Sequence, residues 1–340
     1  MSRISPRPVC VVIDCNTWTS QYWLGSPVGQ TFIAAVRQYP QLWLAIPEVL
    51  ETELNKHRSR TASEFLSKLI KATRDVNTVM GERGARIVTI DEAEIEVGIR
   101  NRIAPILDKI KYPEITLGEV RRALVMVNAE VPPNGPKGQQ MKDSLLWEAC
   151  VSLADEHHVY FVSADSDFYS GKDPKSPLAP NLAESAAVSE GRLRVFRSLN
   201  EALREIAPDF AVDSTVELQG VDIDGPATGL AEEALSRSSV AATIEGVRDL
   251  RGVHKDYLKT GNRSSFAVSF TVFYDFRQHS GDANIQDEVA VSGECMLDMQ
   301  NGTVDSLTLK TVNWKRRDPS GKRTWVEEDL AGLESNSGDA

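Results

Sequence analysis

The chain has 340 residues, 41% hydrophobic and 26% charged, an ordinary balance for a soluble globular protein of two domains. No apolar run approaches the ~20 residues that span a bilayer. The short run after the basic start ends at Asp14, not at a small-residue cleavage site, so no secretory leader is expected. Net charge is −11, with 25 Lys+Arg against 26 Asp+Glu in residues 1–208 and 13 against 23 in residues 209–340. Acidic domains do not bind nucleic acid unaided, so such contacts are expected from the N-terminal part. Cys10, Cys15, Cys150 and Cys295 form no CxxC pair and read as reduced thiols of a cytoplasmic protein.

In chain order, continuous apolar runs at 9–14, 42–47, 86–90, 159–165 and 193–198 read as buried parallel strands. Helix-spaced segments lie between them, including "VLETELNKH" and then 63–80. This alternation predicts a doubly wound parallel α/β sheet. Residues 91–130 read as a largely helical insertion with a basic side formed by Arg100, Arg102, Lys109, Lys111, Arg121 and Arg122. "VPPNGPKGQQ" (131–140) is a loop, because its prolines and glycines cannot continue a helix. It leads into the amphipathic helix "MKDSLLWEACVSLADEHH", where Trp147 reads as core. Beyond it the expected organisation is a first domain over 1–205, an acidic linker and helix over 206–238, and a mostly antiparallel β (α+β) domain over 239–330. Residues 331–340 read as a disordered tail. In the β domain, "SSFAVSFTVFYDFR" alternates with period two, and Asn301-Gly302 is a hairpin signal between two further strands.

In such a sheet, ligands bind at the carboxyl ends of the strands. Asp14 sits there on the first strand, and Asp165 and Asp167 on the fourth. Glu53 in "PEVLETEL" and Asp143 in "KDSLLWE" open helices near the same edge. Converging carboxylates cannot all ionise without a cation, and oxygen ligands select hard ions, Mg²⁺ or Mn²⁺. Such a site suits phosphodiester hydrolysis.

The set Asp14 in "VVIDCNTW", Glu53 in "IPEVLETELNKH", Asp143 in "KDSLLWEA" and Asp165 in "FVSADSDF" resembles the PIN-domain nucleases. It is closest to a bacterial PIN-like group whose third motif reads Lys-Asp, two or three apolar residues, Trp-Glu. The resemblance covers roughly residues 8–200. It implies a metal-dependent ribonuclease-like site with Asp14, Glu53, Asp143 and Asp165 as the acidic quartet. Asp167 would be an accessory ligand, and Asn16 and Ser163 would orient the site. Glu51 competes for the second place; the family pattern of Glu followed by Leu favours Glu53. PIN domains commonly pair, which implies a homodimer. For the nucleic-acid track, with RNA preferred over DNA, the candidates are His57, Arg58, Arg121, Arg122, Lys137 and Lys142. Glu148, one turn after Asp143, is a further candidate for the site. A rival reading makes the fold a catalytically weak scaffold whose acidic β domain binds a protein partner or regulates the nuclease. A phosphatase of the haloacid dehalogenase type would need a second aspartate two residues after Asp14, where this chain has Asn16.

Overall fold

The computed structural model describes residues 7–80, 90–135, 140–171, 176–210, 224–237, 248–259, 265–280, 283–298, 303–317 and 323–329. Most of the strand expected at 86–90, Lys137, the Asn301-Gly302 tip and the tail 331–340 lie outside them.

The first sheet is parallel. β1 (Val9–Ile13), with sequence VCVVI, is almost wholly buried and rich in β-branched residues that suit a pleated surface. Around it run β2 (Leu42–Ala45), β3 (Ile110–Lys111), β4 (His158–Val162) and β5 (Leu193–Phe196), in the order β3-β2-β1-β4-β5. β1 pairs in parallel with β2 on one side and β4 on the other. The crossovers carry α1 (Cys15–Ser20), α2 (Pro27–Gln38), α3 (Glu48–Met80), α4 (Glu92–Asn101), α5 (Leu117–Asn128), α6 (Met141–Leu153), α7 (Pro180–Val188) and α8 (Leu199–Ile206). This is a doubly wound α/β fold.

The structure adds detail to two expectations. The segment 91–130 is largely helical, as expected, but Ile110–Lys111 within it adds to the sheet beside β2. Two residues leave no alternation for a periodicity argument to detect. The helical patterns after residue 48 form one helix of 33 residues, since no Gly or Pro interrupts it.

The helix starts are written locally. Asp14 caps α1, Ser26 caps α2 with Pro27 next to it, and Ser198 caps α8. α4 and α5 open with complete capping boxes, Asp91 with Glu94 and Thr116 with Glu119. Between α1 and α2 the chain turns through Tyr22, Trp23 and Leu24, at φ 48°, 57° and 62°. Left-handed backbone costs an L-residue about 1–2 kcal/mol. Burial of Trp23 and Leu24 offsets this, as do hydrogen bonds from Trp23 N to Trp18 O and Gly25 N to Tyr22 O, both 2.9 Å. Leu24 backbone presses on α2 so closely that a Cβ at Gly29 would stand 2.6 Å from Leu24 Cα.

After α9 (Asp224–Arg237) comes an antiparallel meander of β6 (Arg248–Lys259), β7 (Ser265–Ser280), β8 (Ala283–Asp298), β9 (Thr303–Arg317) and β10 (Arg323–Asp329). It has five strands where three or four were expected. Leu258 and Ala267 join the buried apolar cluster that contains β1 and α2, so the two sheets meet through hydrophobic contact. β8 breaks register near Gly293 and again between Glu294 and Met296. At that irregularity Glu294, 4% exposed, accepts hydrogen bonds from Gln21 Nε2 and from the Val28 N–H in the first turn of α2, each 3.3 Å. Among the described residues no helix is long and apolar enough to cross a membrane.

Candidate active site

The carboxyl edge of the parallel sheet carries the site. β1 ends at Ile13, and the next N–H, that of Asp14, still bonds Val162 O of β4 at 3.0 Å. The Asp14 side chain then turns inward. Its Oδ1 accepts from the Thr17 N–H at 2.7 Å, capping α1, and its Oδ2 accepts from the Ser163 hydroxyl. Burial pushes its carboxyl up to about 6, although the Ser163 and Thr17 hydrogen bonds pull the other way and Asp165 adds only a little.

Asp165 follows β4. The Asp165 N–H donates to Ser163 Oγ at 3.1 Å, its Oδ1 accepts from the Asp167 N–H at 2.9 Å, and Asn16 Nδ2 stands 3.4 Å from its Oδ2. Burial holds Asp165 above the ordinary carboxylate range. Asp167 accepts from Gln140 Nε2 at 3.3 Å. Asp143 lies in the first turn of α6 and is pushed up to about 7, first by burial and then by Asp165, Glu53, Asp14 and Asp167. Five carboxylates from four segments therefore act on one another. On α3, Glu53 takes Lys142 Nζ at 3.4 Å and His57 Nε2 at 4.0 Å.

Other candidates go elsewhere. Glu51 and Arg58 sit on another face of α3, where they line a cavity of about 370 Å³ with Trp18, Trp23 and Tyr112. Arg58 Nε is 3.7 Å from Glu96. Arg122 is held by Glu148 at 2.5 Å and Ser152 at 3.2 Å, so both Arg122 and Glu148 are already engaged with protein groups. Arg121 is exposed on α5. Lys142 and His57 are the two expected phosphate contacts placed beside the carboxylates among the described residues. Trp147 is fully buried against Phe161 and Phe168.

Sequence reasoning missed Gln140, Thr17 and Tyr169. Tyr169 donates its hydroxyl to Ser163 O at 2.7 Å and so steadies the residue that holds Asp14. The one readable signal was Thr17, three residues after Asp14, the spacing of a helix cap.

A family model described as PIN domain matches residues 11–168, a span that contains Asp14, Glu53, Asp143 and Asp165. Those residues are a PIN domain. No curated protein and no solved structure matches the chain. PIN domains are generally nucleases that work with divalent cations. The donors of this PIN domain fit such an ion, because they are carboxylate oxygens, and the charges of Asp165, Glu53, Asp14 and Asp167 add to burial in raising Asp143. The fit is loose in one respect. Among the described residues, the trio whose ligand atoms lie within 4.8 Å of one another is Cys15, Glu53 and His57, not three of the aspartates. Asp14 is turned into its own hydrogen bonds and Glu53 toward Lys142, as uncompensated like charges demand.

Proposed function

We propose that this protein is a metal-dependent endonuclease that hydrolyses phosphodiester bonds in RNA, single-stranded or structured, with Mg²⁺ or Mn²⁺. The half-buried placing of Asp143 among Asp165, Glu53, Asp14 and Asp167, which together with burial raise its pKa, at the carboxyl edge of a PIN sheet carries this reading. Asp14, Glu53, Asp143 and Asp165 would hold the ion, with Asp167 as an accessory. When bound, the ion supplies Lewis acidity and lowers the pKa of water. The chain does the rest. Ser163 orients Asp14, which is buried, and Asn16 faces Asp165. Lys142 and His57 would position the phosphate backbone, with Arg121 and Lys137 as further candidates. Four free, buried cysteines support a reducing, cytoplasmic setting.

Cleavage of short labelled single-stranded RNA and DNA in Mg²⁺, Mn²⁺ and EDTA tests this. We expect RNA to be cut with metal only. Asp14→Asn and Asp143→Asn should each lose at least about a hundredfold, since charge stabilisation here is worth several kcal/mol. Wild type silent in both metals on both strands would sink the reading. The β sheet would then be the working part, and its buried Glu294 contact with α2 would make the PIN domain its mount.

A further inference from the structure

We propose that Cys15, Glu53 and His57 form a second metal site, for a zinc-class ion, that shares Glu53 with the acidic site. Glu53 and His57 lie one turn apart on α3, and Cys15 is the first residue of α1. Their sulfur, oxygen and nitrogen atoms all lie within 4.8 Å of one another. Bonds of about 2.0–2.3 Å around a tetrahedral ion place ligand atoms roughly 3.3–3.7 Å apart, so modest side-chain rotation closes the trio. The donor types differ from those of the aspartates. Thiolate and imidazole select zinc-class ions, whereas carboxylate oxygens alone select hard ones.

Three protein ligands leave a fourth position open. Lys142 is the present neighbour of Glu53, at 3.4 Å, and its long side chain is 58% exposed, so it can swing away at little cost. The Cys15 thiol gives up its proton to solvent as its sulfur takes the ion, so one proton is released per ion bound. Burial and the carboxylates of Glu53, Asp14 and Asp143 oppose a bare thiolate there. Those same carboxylates attract a dication. A zinc-class ion in the trio withdraws Glu53 from the carboxylate set. On the nuclease reading above, it therefore inhibits.

The test is titration of metal-free, full-length protein with Co²⁺ alone, followed in the near-ultraviolet and visible. A thiolate-to-cobalt band should appear, and Zn²⁺ should bleach it. Cys15→Ser should abolish the band, and His57→Gln should weaken Co²⁺ binding by more than about tenfold. Asp143→Asn should keep it. A folded wild type without the band, or a band that survives in Cys15→Ser, overturns the site. If Cys15→Ser fails to fold by circular dichroism, His57→Gln decides, and unchanged Co²⁺ affinity overturns the site. A protein that shows the band with cobalt but, free of cobalt, cuts nothing in Mg²⁺ or Mn²⁺ refutes the nuclease reading alone. Cleavage without the band refutes the metal site alone.

Discussion

Asp143 is destabilised in the place that makes it useful. Its carboxyl stands at about 7 in the folded protein against an ordinary 3.8, and that of Asp14 at about 6. The linkage has a definite sign. Below about pH 4 both folded and unfolded chains hold these protons. Between pH 4 and 7 the unfolded chain releases them while the folded chain keeps them, so stability falls as pH rises, and above pH 7 the penalty is complete. In EDTA the melting temperature should drop across that window by an amount worth a few kcal/mol. Asp143→Asn should flatten the drop and, at pH 7.5 without metal, should be more stable than wild type while inactive. Mn²⁺ at pH 7.5 should restore wild type and not Asp143→Asn. A melting temperature independent of pH between 4 and 7 would show that the carboxylates are not in conflict. At this scale the aspartates were legible because each follows a strand or opens a helix. The fates of Arg58 and Arg122 were not. Arg122 meets Glu148 across 26 residues, a distance along the chain over which no periodicity speaks. Arg58 follows His57 by one residue and so points about 100° further round α3.

Among the elements, α2 and the left-handed turn before it form a tight pair. Gly→Ala in a helix ordinarily stabilises by up to about 1 kcal/mol. At Gly29 the sign should reverse, because the new methyl would meet Leu24 backbone at 2.6–2.8 Å and backbone cannot rotate away. Gly29→Ala should lower the unfolding free energy by about 1–3 kcal/mol, the usual cost of overpacking, and with it the denaturation midpoint. A midpoint equal to or above wild type would mean that the turn yields freely. The short apolar runs that became β1 and β2 were readable because burial on both faces leaves few polar residues in a strand. The turn at Tyr22–Leu24 was not, since no glycine marks its positive φ angles. The meander was visible as alternation, but its strand count was underestimated.

For the whole molecule, the seam between the two sheets is partly polar. Glu294→Ala would leave Gln21 Nε2 and the Val28 N–H without their acceptor in a buried place. The expected loss is about 1–3 kcal/mol. Hydrogen exchange should locate it, with faster exchange in the first turn of α2 and along β8 and unchanged protection in β4. Uniform exchange throughout would mean that the contact carries no load. The N-terminal fold was legible from one sequence because its strands and helices obey local rules. The seam depends on a register break in β8 and on a partner 273 residues away. Local pattern does not reach so far.

The strand order has a consequence in time. β1 is the first strand to leave the ribosome, yet it takes the centre of the sheet, and its neighbour β4 is made some 150 residues later. Ser163 and Asp14 are 149 residues apart, as are Asn16 and Asp165. During synthesis the Asp14 side chain therefore lacks its Ser163 hydrogen bond until β4 has been made. A growing chain is born with one acid of its site and acquires the others in sequence order, so the set is complete only once residue 167 has been added, with about half of the chain made.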